Sequence, residues 1–372
     1  METVDVLIVG AGPSGLICAQ KIHEMGFSVI IVDKKNTIGN RLSCGGGVPR
    51  EIFKTLNIQK KKNFIKEKVI GTKIFFNNEE YTLSDNNWGG FTLDRQLFEK
   101  YLEKTSLDKG VDIRTSTELI QSIKTKNLFI SKFSNGQKVI SKIVIGSDGY
   151  PSTVGKEFDL TFDKNKQNFG VAVNYILSDL DISTRKYWHF VFDENILNGY
   201  SWIFPWSDTK ANVGLSSIPR HTSFESLNYS LVTNVNMLDL LGKTKSQIIN
   251  RGGGIFPLRT PNTDSNIITD GTFLIGDAGG FIEPIFAEGI YPGMLSGVAA
   301  SKYVSTFLTV DLNSQARQEL FITLWNSMPY SSRQTLGEFL DMMTILKNTL
   351  YHTFSSNCTE IDRMSIIKEI SI

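Results

Sequence analysis

The feature that most constrains this chain is a glycine-rich turn held between two apolar runs. Val4 to Val9 is a continuous apolar stretch of the kind a strand buried on both faces needs, and Ser14 to Met25 then carries apolar residues at helical spacing. Ser28 to Val32 repeats the strand pattern. Between the first strand and the helix lie Gly10, Gly12 and Gly15 in the spacing GxGxxG, and Asp33 ends the second strand 18 residues after Gly15. With 31 glycines in 372 residues the spacing alone is a weak signal. Its place between strand and helix, with an acid after the next strand, makes it specific for a dinucleotide. Gly10 makes the tight turn, Gly12 lets backbone approach a pyrophosphate, Gly15 lets helix pack on strand, and Asp33 can accept from a ribose hydroxyl. Pro13 and Ser14 complete the loop and Lys34 follows the acid, so these seven residues are the expected cofactor contacts. The blander reading is a glycine-rich turn in an α/β domain without ligand.

Beyond residue 33 the pattern changes. Asp94 to Lys109 opens on a capping-type residue, sets Leu97, Leu102 and Leu107 among charges and stops before Gly110, which predicts a helix with a strand after it. Alternating segments at 127–133, 138–145, 169–177, 185–193, 199–205 and 211–217 predict antiparallel strands. Thr272 to Ile275 is a further buried strand, and helical patterns run from Ile290 nearly to the end, interrupted around Pro329. The order is that of a nucleotide domain interrupted by a sheet domain. Lys plus Arg is 39 against 38 acids, so a net charge of +1 gathers neither nucleic acid nor an anionic membrane by overall charge. The lysine-rich piece at 60–68, KKKNFIKEK, has the chemistry to meet lipid phosphates but reads first as a solvated loop.

Cys18, Cys44 and Cys358 match neither a disulfide framework nor a paired zinc site, which leads us to expect a reducing, cytoplasmic setting. The N-terminus lacks the basic start of a signal peptide, and the most apolar long stretch, 272–300, carries Asp277, Glu283 and Glu288, so no bilayer-spanning helix is expected. His23, His189, His221 and His352 show no metal-ligand spacing, and no GxSxG, HExxH or P-loop is present.

Three distant pieces complete the dinucleotide reading: GAGPSG at the start, SDG at Ser147 to Gly149 with Ser152 behind it, and GDAGGFIEPIFAEGI from Gly276. Gly276 and Asp277 close a buried strand where an acid would meet ribityl hydroxyls, and Glu288, Gly289 and Ile290 lead into a helix whose N-terminus offers N–H groups to an electron-rich ring. These pieces resemble the FAD fingerprints of glutathione-reductase-like flavoproteins with a hydroxylase-type layout. That resemblance implies contacts from Asp148, Gly149 and Arg95, the last in LDRQLFEKYL. Within that group, SCGGGVPRE at 43–51, GYSWIFPWSDTKANVGLS at 199–216 and GDAGGFIEPIFAEGIYPGMLSG at 276–297 resemble the geranylgeranyl reductase family.

The resemblance implies an α/β fold. A Rossmann-type FAD-binding domain (1–70, 92–160 and 262–310) is interrupted by a mainly antiparallel β-sheet substrate domain (71–91 and 161–261), with C-terminal helices over 311–372. It implies reduction of isolated double bonds in the isoprenoid chain of a prenylated lipid or prenyl diphosphate-derived compound, with FAD as cofactor and an open electron donor: NADPH, ferredoxin or another reductant protein. Alternatives on the same fold are a flavin-dependent monooxygenase or halogenase, or a flavoprotein electron carrier to quinone. Cys44, before Gly45 and Gly46, would stand near the flavin by analogy and supply a proton, against the blander reading of a buried small hydrophobe. Tyr200, Trp202, Phe204 and Trp206 alternate, which predicts one aromatic face, with Tyr200 and Trp202 lining the prenyl pocket or else packing a sheet core. Cys18 reads as core. Trp325 and Met328 are candidates for peripheral membrane contact, and packing on the body of the protein is the commoner role for such residues.

Overall fold

The computed structural model describes residues 1–40, 42, 44–76, 79–84, 88–162, 169–192, 199–217, 246–257, 266–283, 286–310 and 314–328. The chain opens with β1 (Glu2–Val9), α1 (Pro13–Glu24) and β2 (Val29–Val32). Then come β3 (Gly47–Pro49), α2 (Ile52–Thr55), β4 (Ile65–Val69), β5 (Gly71–Phe76), β6 (Glu79–Leu83) and β7 (Gly90–Leu93). Next are α3 (Arg95–Asp108), β8 (Asp112–Arg114), β9 (Leu119–Thr125), β10 (Leu128–Phe133), β11 (Lys138–Gly146) and α4 (Thr153–Glu157). The strands β12 (Phe169–Ser178), β13 (Tyr187–Phe192), β14 (Gly199–Pro205), β15 (Lys210–Ser217) and β16 (Gln247–Pro257) follow. Last are β17 (Ile268–Thr269), β18 (Thr272–Leu274), a 3-10 turn at Gly276–Gly279, α5 (Ile290–Thr309) and α6 (Ser314–Asn326). Cys358, His221, His352 and the helical pattern beyond Pro329 lie outside the described residues.

Two compact units form. Unit 1 comprises Met1–Asn40, Gln96–Phe169 and Phe256–Thr335; unit 2 comprises Arg41–Arg95, Gly170–Ile255 and Leu336–Ile372. The sheet of unit 1 runs β17-β18-β11-β1-β2-β8, with β10 and β9 continuing off β11. Its centre is parallel: β1 pairs with β2 and with β11, and β11 pairs with β18, all in the same direction. Val6, Leu7 and Ile8 of β1 and Ile143, Val144 and Ile145 of β11 are buried, as strands covered on both faces require. The expectation that 138–145 is an antiparallel strand thus holds for only one of its edges: β11 is antiparallel to β10 and parallel to β1. The continuous apolar run Ile143-Val144-Ile145 marks the parallel part.

Helix α1 packs on α5 through small residues. A Cβ on Gly297 would lie 2.5 Å from the Ser14 carbonyl oxygen, so only glycine permits this approach. Trp325 of α6 is 2% exposed, with its ring 4.5 Å from that of Phe281, and Met328 is buried too. Both residues raised above as membrane contacts therefore pack inside unit 1.

Unit 2 holds a seven-stranded sheet, β16-β12-β15-β14-β13-β5-β6, and a three-stranded sheet, β3-β7-β4. Pairs β12·β15, β15·β14, β14·β13 and β5·β6 are antiparallel, while β13 runs parallel to β5. Residues 41–70, expected with the nucleotide domain, group with unit 2 because β3 and β4 both pair with β7. Ile65–Val69, which overlaps the stretch 60–68 read as a solvated loop, is an edge strand. Helix α6, expected in a separate C-terminal piece, belongs to unit 1.

Candidate functional site

In unit 1 the glycine turn does what its spacing asks. Gly10 N–H donates to the Val32 carbonyl at 2.7 Å, and its φ of +104° belongs to a region that L side chains rarely adopt. A Cβ there would lie 2.2 Å from the Ser147 carbonyl oxygen, and one on Gly15 2.2 Å from the Gly10 oxygen. Gly12 differs: nothing stands within 4 Å of where its Cβ would be. This open space lies at the N-cap of α1, with Pro13 opening the helix, where free N–H groups and the helix dipole favour an anion. A cradle that only a ligand fills is what a diphosphate needs, so the residues present fit FAD.

Asp33 is buried, and its carboxylate accepts from Ala11 N–H and Lys35 N–H, each at 2.8 Å, which ties the end of β2 to the turn. Lys34 beside it is exposed. Ser14 Oγ would lie 2.5 Å from a Cβ on Gly276 and 2.8 Å from one on Gly293, so the first and last motifs meet at one side chain. Gly276 N–H donates to Ser296 Oγ at 2.9 Å, and that hydroxyl donates to the Gly293 carbonyl at 2.6 Å. Asp277 is half-buried in the 3-10 turn, with Oδ1 3.3 Å from where a Cβ on Gly289 would stand. Gly289 is the N-cap of α5 and Ile290 its buried first residue. Glu288 Oε1 accepts from Tyr291 N–H at 2.8 Å, so this acid caps the helix whose N–H groups were expected to face the ring.

Asp148 is also a cap. Its carboxylate accepts from Ser152 Oγ at 2.7 Å and from the N–H groups of Thr153 and Val154 at 2.6 and 3.1 Å. Burial raises its pKa against the pull of those hydrogen bonds. Gly149, at φ +78°, has nothing within 4 Å of its missing Cβ. Arg95 opens α3 and is half-buried. Burial pushes the Cys18 thiol far up, as its expected core place implies.

In unit 2 the register of three strands builds an aromatic face. Phe190 pairs with Trp202 and Trp202 with Gly214, so Phe190, Phe192, Tyr200, Trp202 and Phe204 share one side. The Tyr200 and Trp202 ring centroids are 6.1 Å apart, Trp202 and Phe204 6.2 Å, and Phe190 lies 5.3 Å from Tyr200. Trp206 does not continue this face. It follows the end of β14 in a turn, with Lys66 and Lys210 ammonium groups 5.1 and 5.2 Å from its ring centroid. Tyr200 and Trp202 are each 6% exposed. Trp202 is wedged: a Cβ on Gly214 would lie 2.2 Å from its ring, and one on Gly45 3.0 Å from its Nε1.

The cysteine loop is fastened to that face by two asparagines that sequence reasoning does not find. Asn212 Nδ2 donates to the Cys44 carbonyl at 2.9 Å, Asn174 Nδ2 donates to the same oxygen at 3.3 Å, and Trp202 Nε1–H donates to Asn212 Oδ1 at 3.1 Å. Both asparagines are 1% exposed. Burying two amides without partners would cost several kcal/mol, roughly 1 to 3 each, so this network is held by necessity. The only signal in the sequence is a polar residue inside an apolar strand, as in ANVGL. Gly46 has φ +83° and its N–H donates to Cys44 Sγ at 3.4 Å, while its carbonyl accepts from Leu93 N–H at 2.8 Å. Cys44 is half-buried. On the opposite side of β13, His189 is buried, with Nε2 2.8 Å from Thr184 Oγ1, and burial lowers its pKa to about 4.

Residues 3–321 match the family of FAD binding domains. The chain is 27% identical to digeranylgeranylglycerophospholipid reductase 1 of Methanosphaera stadtmanae, over 99% of this chain and 91% of that protein. It is 28% identical to the digeranylgeranylglycerophospholipid reductase of Thermoplasma volcanium, over 81% of this chain and 78% of that one. A crystal structure of a geranylgeranyl bacteriochlorophyll reductase-like protein from Thermoplasma acidophilum superimposes with a TM-score of 0.78 at 25% identity, covering 93% of this chain and 91% of the other. A flavin-dependent brominase shares the fold alone, with a TM-score of 0.77 at 15% identity. With the glycine cradle, the open space at Gly12 and the converging third motif, these matches place the chain in the FAD binding domain family, on its geranylgeranyl reductase branch.

Proposed function

We propose that this protein is an FAD-dependent reductase that saturates isolated C=C bonds in the isoprenoid chain of a prenylated lipid. The observation that carries the reading is the match to digeranylgeranylglycerophospholipid reductases over nearly the whole chain, beside this chain's own FAD motifs and its Cys-Gly-Gly and Tyr-x-Trp-x-Phe-Pro segments. When bound and reduced, FAD supplies hydride chemistry. Gly10, Gly12, Pro13, Ser14 and Gly15 would hold its diphosphate and Asp33 and Lys34 its ribose end. Arg95, Asp148, Gly149, Gly276, Asp277, Glu288, Gly289 and Ile290 would hold the remainder of the cofactor.

An isolated alkene has no carbonyl to take up developing negative charge, so hydride addition to one carbon has to be coupled to proton addition at its neighbour. Two C–H bonds would form and one C=C π bond would be lost, with the two electrons supplied by bound, reduced FAD. Cys44 is the proton source in this reading, its thiol giving up the S–H proton as the second C–H bond forms. The Asn174 and Asn212 amides hold the Cys44 carbonyl, the Gly46 N–H donates to its sulfur, and Gly45 and Gly46 leave backbone without side chains beside it. Tyr200 and Trp202 offer apolar ring surface to the chain and exclude water from a cation-like transition state. The electron donor, NADPH, ferredoxin or another reductant, replaces the two electrons after each bond. The halogenase reading has fold likeness behind it and no more.

Mass spectrometry of lipids from cells with and without the gene tests this. The account expects prenyl lipids to become lighter by two hydrogens per unsaturated bond when the gene is lost. Unchanged lipids, or loss of an oxygenated or halogenated product instead, would overturn it.

A further inference from the structure

We propose that the basic edge of unit 2 around β4 is a docking surface for an anionic phospholipid membrane. This rests on the reading that the substrate is a prenylated lipid. The stretch Lys60 to Ile70 carries five lysines against one acid, Glu67, in a chain whose net charge is +1, so the rest of the chain is net negative. Positive charge is concentrated here rather than spread. Among the described residues Lys60, Lys61, Lys62 and Lys68 have no acidic partner within ion-pair distance, and all four are exposed.

The fold presents these residues together. β4 is an outer strand of its sheet, with a register shift against β7 between Ile65 and Glu67, and beyond that shift Lys68 and Ile70, two residues apart, are both exposed. Ile70 is 42% exposed, an apolar side chain two residues along the chain from the exposed Lys68. The Lys60 ammonium lies 4.9 Å from the Phe91 ring centroid, which anchors the start of the stretch. Ile70 N–H donates to the Lys186 carbonyl at 2.8 Å, Glu67 pairs with Lys186 at 2.5 Å and Arg185 with Asp208 at 3.3 Å, so these neighbouring charges balance and the uncompensated positive charge is that of the four exposed lysines.

The occupant follows from chemistry. No helix among the described residues is long and apolar enough to cross a membrane, yet a prenyl lipid resides in one. Lysines around an exposed isoleucine match a surface with phosphates outside and hydrocarbon below. A folded acidic protein offers charge without an apolar layer for Ile70.

Flotation of the full chain with vesicles tests the proposal, comparing phosphatidylcholine alone with phosphatidylcholine containing about one third phosphatidylglycerol. Anionic vesicles should bind it far better than neutral ones, and binding should weaken as salt rises. The exposed variant Lys61→Gln/Lys62→Gln/Lys68→Gln should lose roughly five-fold per lysine, about a hundred-fold in all. Its reduction of a prenyl lipid dispersed in detergent should equal that of the unmodified protein. Equal binding to both vesicle types, or full binding by the variant, overturns the proposal, as does lysine-dependent capture of an acidic reductant protein without vesicle binding. Lysine-dependent vesicle binding with no reduction of the detergent-dispersed lipid would uphold the surface and overturn the proposed function.

Discussion

The glycine cradle of unit 1 and the cysteine clamp of unit 2 achieve rigidity by opposite means. In the cradle the constraint is backbone against backbone: Gly10 and Gly15 are each fixed by a carbonyl oxygen 2.2 Å from where a side chain would begin. In the clamp it is side chain against backbone, with Asn174, Asn212 and Trp202 drawn from three strands to hold the Cys44 loop. A backbone constraint writes itself into sequence as a fixed glycine spacing. A side-chain constraint depends on sheet register and leaves scattered residues. The cradle is also divided within itself, since of its three glycines Gly12 alone faces open space, where a side chain would meet no protein atom.

The largest effect is expected at Gly15. In Gly15→Val the new side chain meets the Gly10 carbonyl, which belongs to the same turn and cannot give way, so both fold and flavin should be lost and little soluble protein recovered. Gly12→Val should instead give a soluble, colourless protein with thermal unfolding near that of the cofactor-free parent. A Gly12 variant that fails to fold would remove the division between the two glycines.

Cys44→Ser comes next. Serine keeps the size but is a far weaker acid, so turnover per bound flavin should fall by roughly 10² to 10⁴ while FAD stays bound. Pre-reduced enzyme mixed with prenyl substrate, normalised to flavin content, measures it. An unchanged rate would make Cys44 a packing residue.

His189 provides a pH test of the sheet that carries the clamp. Its folded pKa of about 4 lies below the ordinary unfolded value near ~6.5, so between these pH values the unfolded chain binds the additional proton. Stability is therefore fully present above about pH 6.5 and falls by about 3 kcal/mol as pH drops toward 4. Urea unfolding followed by tryptophan fluorescence reads unit 2 in the main, because four of the five tryptophans, Trp88, Trp188, Trp202 and Trp206, belong to it. His189→Phe should flatten the slope; an unchanged slope would assign it to other groups.

The smallest effect is that of Asn212→Leu, which leaves Trp202 Nε1–H without its acceptor and the Cys44 carbonyl with one amide in place of two. A loss of roughly 1 to 3 kcal/mol in stability is expected. Turnover should drop with flavin retained, and Asn212→Gln should not restore it, because the longer side chain cannot keep both hydrogen bonds. Full activity in Asn212→Leu would separate the asparagine from the positioning of Cys44.

Much of unit 1 is legible in the amino-acid sequence itself. Gly10, Gly12, Gly15 and Asp33 stand where the βαβ pattern puts them, since local spacing dictates local backbone. Less visible is that Asp148 and Glu288 serve as helix caps, because an acid beside a helix start reads alike whether it faces a ligand or an N–H group. In unit 2 the alternation of Tyr200, Trp202 and Phe204 gives away their common face, but Trp206 breaks from it where its own N–H donates to the Lys210 carbonyl and the chain turns. Asn174 and Asn212 cannot be read, because their partner lies at least 130 residues away along the chain. The strand Ile65–Val69 is hidden by its lysines, which an edge strand tolerates and a buried one does not.

The central claim, saturation of a prenyl double bond with electrons from bound FAD, is tested most directly by one anaerobic single turnover. Protein reduced with dithionite and freed of excess reductant is mixed with a digeranylgeranyl lipid while flavin absorbance and product mass are followed together. The account predicts that flavin colour returns without oxygen and that one C=C bond gains two hydrogens for each FAD reoxidised. Colour that returns only when oxygen is admitted, with a product carrying added oxygen or no product, would contradict it.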